Sequence, residues 1–386
     1  MRVALVGAYA PANLGDFALV QAALRTLRAA WPDVAVDIMT SYGDEYRAVL
    51  QGEPGVRVLP ALVDNHAGRP RLRRVGAMVR TLLRGGRATW PGDRPDLVVA
   101  VGGGYLFSSR KGPFGLGLAS VLLHLDRARR AGIPTATFPV SLGPFRWKAD
   151  ERLAARVLRR VPVVLVREAA SLAWAQAHGI DARLVADHAF ALAWPTIRAR
   201  QWHVGMTPMD LRFAVTGDAD RAQADYELAL REVIRRLLAA DARIRVTLYP
   251  HVSAGLTDDD APACQRVAAG FDPGRLVVAP HPAASRPDDI ARGYGSNAVF
   301  LASRLHSAIF SLGAGVPTVC LAYQPKATGT YALLGLDADV VPAFGFDPVA
   351  VSERLLRLLR GEDKQVVAWP DVLEPTVAAV RGLVLR

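Results

Sequence analysis

Short apolar, β-branched runs alternate with longer amphipathic stretches along almost the whole chain. The runs "VALV" (3–6), "VAVDIM" (34–39), "DLVVAV" (96–101), "TATF" (135–138), "VVLV" (163–166) and "ARLVA" (182–186) have strand character. Helix-like stretches at 17–30, 115–131, 149–160 and 168–178 lie between them. This rhythm predicts parallel β/α units. A second series has strands at 203–206, 243–249, 275–279, 298–302 and 317–322, with helices at 221–240, 258–269, 304–313, 326–335 and 348–360. The stretch "ALAWPTIRARQW" (191–202) breaks the rhythm and is the expected linker. The fold expected is α/β: two Rossmann-like, doubly wound domains facing each other across a cleft, with ligands at the carboxyl ends of the strands. The expected boundaries are 1–194 and 195–370, followed by a C-terminal helix at 371–386 that packs back on the first domain.

Composition supports this reading without naming a function. A chain of 386 residues, 51% of them hydrophobic, can bury two cores. Cys264 and Cys320 are too few for a disulfide framework and lack the spacing of metal ligands, so no metal site is expected. The opening "MRVALVG" is too short for a signal-peptide core, and no run approaches the ~18 apolar residues of a membrane span. The expectation is a cytoplasmic, soluble protein. The net charge of +11 suits an anionic partner, although arginine-rich coding also produces such an excess. Arginines are concentrated at 65–92, where Leu72, Val75, Val79, Leu82 and Leu83 fall on one helical face. Such a helix can lie on an anionic membrane as a peripheral contact, or it can pack its apolar face and solvate its arginines. No nucleic-acid module is present, nor any GxSxG, HExxH, CxxC or P-loop pattern.

Chemistry is concentrated at strand ends. In "SRLHSAIFSLGAGVP" (303–317), Leu305, Ile309 and Leu312 form a core stripe, yet Arg304 and His306 occupy the first turn. Ser303 is the expected N-cap; amides it leaves, with the helix dipole, favour an anion. Arg304 adds a planar fork for carboxylate or phosphate, and His306 can shuttle a proton near neutral pH. Lys326 stands just after Pro325, where a helix dipole disfavours a cation unless an anion is near. "VGAYAPANLGDFAL" brings Asn13 and Asp16 to another strand end, with glycine spacing unlike the dinucleotide fingerprint. Gly103 and Gly104 in "VAVGGGYLF" would let backbone approach a ligand. His251 lies just beyond the strand in "TLYPHVS", and the acidic run "TDDDAP" (257–262) reads as a helix cap.

Taken together these pieces resemble the polysaccharide pyruvyl transferase family, nearly end to end and in the family's order. "GAYAPANLGDFAL", "VGGGYLF", "PVSLGPF" (139–145), "VREAASL" (166–172) and "VADHAFAL" are similar to successive family motifs. The R-L-H, A-G-V-P and Y-x-P-K elements of "SRLHSAIFSLGAGVPTVCLAYQPKATG" are the most specific of them. The resemblance implies a GT-B-like fold with an acceptor-side first domain and a donor-side second domain. It implies that phosphoenolpyruvate gives its pyruvyl group to two hydroxyls of a sugar or lipid-linked glycan, without metal or organic cofactor. Arg167, Arg304, His306 and Lys326 then match donor-associated positions, and Asn13 and Asp16 match the amino-terminal motif; the chemistry of that transfer would use His306 as acid and Asp16 as candidate base. Asn13, Gly103, Gly104 and His251 are further substrate-binding candidates. Phe17 and His188 depart from the family pattern at positions expected to edge the cleft. The rival readings are a GT-B glycosyltransferase using a nucleotide-sugar and a non-catalytic member in envelope-polymer synthesis.

Overall fold

The structure, a computed structural model, describes residues 1–63, 90, 92–109, 112–195, 197, 199–215, 217–252, 259–281 and 286–384. The chain forms two compact units. The first comprises Met1–Pro11, Asp16–Leu192 and Pro370–Arg386; the second comprises Ala12–Gly15 and Ala193–Trp369. The arginine-rich stretch 65–92 lies outside the described residues except for Trp90 and Gly92.

The first unit is built on a parallel sheet of β1 (Arg2–Val6), β2 (Ala35–Thr40), β3 (Val56–Pro60), β4 (Leu97–Ala100), β6 (Thr135–Leu142), β7 (Val163–Val166) and β8 (Ala182–Leu184). Its order is β3-β2-β1-β4-β6-β7-β8, and β5 (Gly103–Leu106) pairs with β6 off this path. Around it lie α1 (Leu14–Ala30), α2 (Gly43–Val49), α3 (Leu116–Arg130), α4 (Lys148–Leu158), α5 (Ala169–Ala177) and a C-terminal helix, Leu373–Val384. The central strands read as unbroken apolar runs because helices cover both faces, and β4 is buried throughout. Chain order reverses between β1 and β4, which opens a crevice at their carboxyl ends. Arg381 of the last helix donates to the carbonyls of Ala29 (2.9 Å) and Ala30 (3.0 Å), so it caps the end of α1.

The second unit has the order β11-β10-β9-β12-β13-β14, all parallel. The strands are β9 (His203–Thr207), β10 (Arg245–Leu248), β11 (Leu276–Val278), β12 (Val299–Ala302), β13 (Thr318–Ala322) and β14 (Val340–Pro342). This is the doubly wound order with its switch point between β9 and β12. Its helices are α6 (Ala219–Ala240), α7 (Ala261–Ala268), α8 (Pro287–Gly295), α9 (Leu305–Gly313), α10 (Pro325–Leu333) and α11 (Pro348–Arg360); the C-terminal helix is thus α12. Leu230, Val233, Ile234 and Leu237 of α6 pack with Val204, Val246 and Leu355 in one core.

The sequence pattern places most of these elements and misses several. Expected to stop at Phe138, β6 runs on through Pro139 to Leu142, with a register shift against β7 between Thr137 and Val140. Proline removes a ladder donor and so hides a central strand. Glycines dilute β5 ("GGYL") and α8 ("PDDIARGYG"), while β3, α2 and β14 are short and partly exposed.

Candidate functional site

In the second unit the chemistry gathers where β9, β10 and β12 end. Arg304 is the extended residue before α9 (φ −119°, ψ 136°), and no side chain caps the helix. Ser303, expected in that role, faces the core instead. Its amide donates to Thr207 Oγ1 (3.1 Å) and its hydroxyl accepts from Tyr226 (2.7 Å). The helix begins one residue later than the pattern suggested, which turns the serine inward.

The Arg304 guanidinium is bidentate on Asp260: Nε donates to Oδ2 (2.8 Å) and Nη2 to Oδ1 (2.6 Å). Asp260 is fully buried and also accepts from the amides of His251 (3.2 Å) and Val252 (3.0 Å). The acidic run therefore has two jobs. Asp259 takes the Ala261 amide at the start of α7 (2.9 Å), while Asp260 fixes the plane of Arg304. Residue type alone could not separate these neighbours.

His251 is buried, its Nδ1 2.9 Å from the Tyr294 hydroxyl and its ring edge-on to Phe310. Burial, and then the positive Arg304, push its pKa well below the ordinary value, so the imidazole is neutral. Its buried Nε2 has no hydrogen-bond partner among the described residues. His306, the second residue of α9, is half-buried against Gly15; a Cβ at Gly15 would stand 2.1 Å from His306 Nδ1. That contact requires glycine. Asn13 Oδ1 accepts the Gly15 amide (3.1 Å), and Asn13 bridges Val252. Lys326 is half-buried in the first turn of α10, its Nζ 6.0 Å from the Tyr323 ring centre. Because β12 and β13 are paired neighbours, α9 and α10 open on the same sheet edge.

The first unit holds the remaining candidates. Arg167 is buried, donating from Nε to Ser141 Oγ (2.7 Å) and from Nη1 to Asp187 Oδ2 (2.5 Å), with Glu168 at 3.5 Å. Glu168 in turn accepts from Ser141 (2.9 Å) and Ser171. Three stretches far apart in sequence, "PVSLGPF", "VREAASL" and "VADHAFAL", thus form one network centred on Arg167. Their coincidence was the available signal for Ser141, Glu168, Ser171 and Asp187. Nη2 of Arg167 has no partner among the described residues and lies 3.0 Å from where a Cβ of Gly104 would stand.

Gly103 and Gly104 lie within β5 rather than in a loop, and Gly103 adopts a positive φ of 133°. Asp16 is half-buried in the first turn of α1, near Tyr46 and Tyr105. Burial raises both phenols well above their ordinary pKa, and the Asp16 charge adds to the shift. Phe17 and His188 do not edge a cleft. Phe17 packs edge-on to Tyr46. His188 is fully buried on Phe138 beside Thr26 Oγ1 (2.9 Å), and burial drives its pKa down to about 3. Both departures from the family pattern are therefore packing choices.

Cys264 and Cys320 are buried free thiols, and among the described residues no group of three or more His, Cys, Asp or Glu is placed to hold a metal ion. No helix among the described residues is long and apolar enough to cross a membrane.

Two doubly wound units, each with its charged groups at the carboxyl ends of parallel strands, define a GT-B-like α/β protein. Solved structures share this fold across nearly the whole chain. A putative UDP-N-acetylglucosamine 2-epimerase from Listeria monocytogenes superposes with a TM-score of 0.63 at 14% identity, covering 99% of this chain and 96% of that one. The UDP-GlcNAc 2-epimerase from Neisseria meningitidis bound to UDP-GlcNAc gives 0.62 at 12% identity, with 100% of both chains covered. At such identities only the fold is shared. Sequence is more specific: residues 13–325 match the polysaccharide pyruvyl transferase family, and the chain belongs to it. The amylovoran biosynthesis protein AmsJ of Erwinia amylovora is 24% identical over 87% of this chain and 86% of its own length. The protein is thus a transferase-family member with a role in polysaccharide biosynthesis and a glycan acceptor.

Proposed function

We propose that the protein transfers the pyruvyl group of phosphoenolpyruvate to two hydroxyls of one sugar in a polysaccharide or lipid-linked precursor, forming a cyclic ketal and releasing phosphate. The observation that carries this reading is the cluster of Arg304, His251 and His306 at the strand ends of the second unit. There Asp260 sets the plane of Arg304, the neutral His251 adjoins it, and His306 stands in the first turn of α9. The donor carries about −2.5 to −3 charges near neutral pH if its phosphate ionises like a phosphorylated side chain. Arg304, Lys326 and two helix starts complement that charge, each charge-assisted hydrogen bond contributing ~1.5–3 kcal/mol before ordering costs.

His306 protonates the methylene carbon while positive character grows on the adjacent carbon. A sugar hydroxyl attacks that carbon, its proton passing to a base for which Asp16 is the candidate. The bond to the phosphate oxygen then breaks, Arg304 and Lys326 hold the departing charge, and the second hydroxyl closes the ring. One hydroxyl proton ends on the new methyl carbon and the other on phosphate, so the step balances without an oxidant. Positioning and electrostatic stabilisation supply most of the rate. The test is phosphate release from phosphoenolpyruvate in the presence of glycan acceptors, beside thermal shift with nucleotide-sugars. Acceptor-dependent phosphate release is expected. Stabilisation by nucleotide-sugars with no phosphate release would replace this reading with glycosyl transfer.

A further inference from the structure

The first unit carries three exposed aromatic side chains that the proposed chemistry does not use. Phe107, Phe114 and Trp147 are 44%, 47% and 39% exposed, so each keeps part of its ring covered and part open. They stand on the segments following β5 and β6, at the sheet edge where strands end. The two segments are tied together. Trp147 donates its amide to Ser108 Oγ (3.3 Å) and its indole N–H to the Ser109 carbonyl (2.8 Å), and the Ser108 amide donates to the Pro144 carbonyl (3.2 Å).

Phe114 has a left-handed backbone (φ 55°), a conformation that costs a bulky residue free energy and persists only when its surroundings enforce it. Here the fully buried Asp150 enforces it by accepting the Phe114 amide (2.6 Å). A buried carboxylate thus holds an aromatic side chain in the open. Exposed Arg146 and Lys148 flank Trp147, while the nearby Asp150 is turned inward.

We infer that Phe107, Phe114 and Trp147 form a stacking platform for an anionic oligosaccharide segment of the acceptor, with Arg146 and Lys148 meeting its acidic groups. The inference rests on the acceptor being a glycan, as proposed above. Pyranose rings present flat C–H faces that pack on aromatic faces, and a platform ordered beforehand loses little entropy on binding. The indole N–H separates this occupant from a lipid surface. Interfacial tryptophans turn that N–H towards the wet headgroups, whereas here it is spent on Ser109 and locks the ring.

The test uses the full chain on an array of uronate-bearing and neutral oligosaccharides, beside sedimentation with phosphatidylglycerol vesicles. Uronate-bearing oligosaccharides should be retained in preference to neutral ones. Trp147→Ala and Phe114→Ala should each weaken retention about tenfold, the order of one stacked ring, and Trp147→Phe should restore most of it. Retention of no glycan, or retention that Trp147→Ala leaves intact, overturns the inference. So does vesicle binding lost in Trp147→Ala while glycan retention persists. Array binding needs neither donor nor turnover. A wild-type protein that holds glycans but releases no phosphate from phosphoenolpyruvate would remove the proposed reaction and leave this platform standing; the opposite result would do the reverse.

Discussion

Arg167 and Arg304 each stand just past a parallel strand and just before a helix, and each is buried against an aspartate remote in sequence, but Arg304 follows the switch-point strand β12 and Arg167 follows β7, next to the edge strand β8. Arg167 is tied into a network of Asp187, Glu168 and Ser141 that joins β6, β7 and the turn after β8. Arg304 lies bidentate on Asp260, and its charge helps to lower the pKa of the neighbouring His251. Excess negative charge around an arginine makes it a staple. Arg304, paired with Asp260 beside the neutral His251, instead immediately precedes α9, whose N-terminal dipole favours an anion. The same residue type at a strand end thus keeps two different sets of neighbours.

Perturbing each side in turn tests that contrast. His306→Ala should lower turnover by ~10²–10⁴ as loss of a general acid. Gly15→Ala should act in the same direction, because its Cβ would overlap the His306 imidazole. Steady-state phosphate release measures both, and near-wild-type turnover in His306→Ala would remove the acid from the scheme. Arg167→Met strands Asp187 and Glu168 in the core and should cost ~3–5 kcal/mol of stability by urea unfolding. If it instead leaves stability intact and raises the donor KM, Arg167 belongs with Arg304 and the contrast fails.

Acid should weaken the first unit through its buried histidines. His188 is driven to about 3 and His124 to about 4, both chiefly by burial. His124 is held neutral, its Nδ1 donating to the Ser120 carbonyl (2.6 Å) and its Nε2 accepting the Leu62 amide (3.0 Å). Their folded pKa values lie below the unfolded value near 6.5, so the unfolded chain binds more protons. The stability concerned is intact above about pH 6.5 and falls towards pH 4, by ~1.4 kcal/mol per pH unit for each histidine. Thermal melts across that range in wild type and His188→Gln check this; identical slopes would count against it. The smallest effect expected is that of Arg304→Lys, which keeps the charge but loses the fork on Asp260. Its donor KM should rise about tenfold with a smaller change in kcat.

Much of the strand-end cluster of the second unit was legible in the sequence. Arg304 and His306 stand out because charged residues in the first turn of a buried helix need a reason, and Lys326 because a cation opposes the dipole there. Asp260 was not legible as the partner of Arg304, since it sits in an acidic run in which its neighbour Asp259 takes the first amide of α7. Tyr294 was hidden within α8, a helix whose glycines obscure its period. Phe17 and His188 were misjudged because adjacency to a motif in sequence does not fix which way a side chain faces.

Local pattern by itself determined that this chain forms two doubly wound α/β units with charged residues at strand ends, because alternating strand and helix periods are short-range properties. The tertiary structure alone decided that three separate motifs close around Arg167, that Asp260 orients Arg304, and that Asp150 holds Phe114 in the open. Each of these is a hydrogen bond between residues 20 to 44 positions apart, and such pairings exist only once the sheets have brought distant strand ends together.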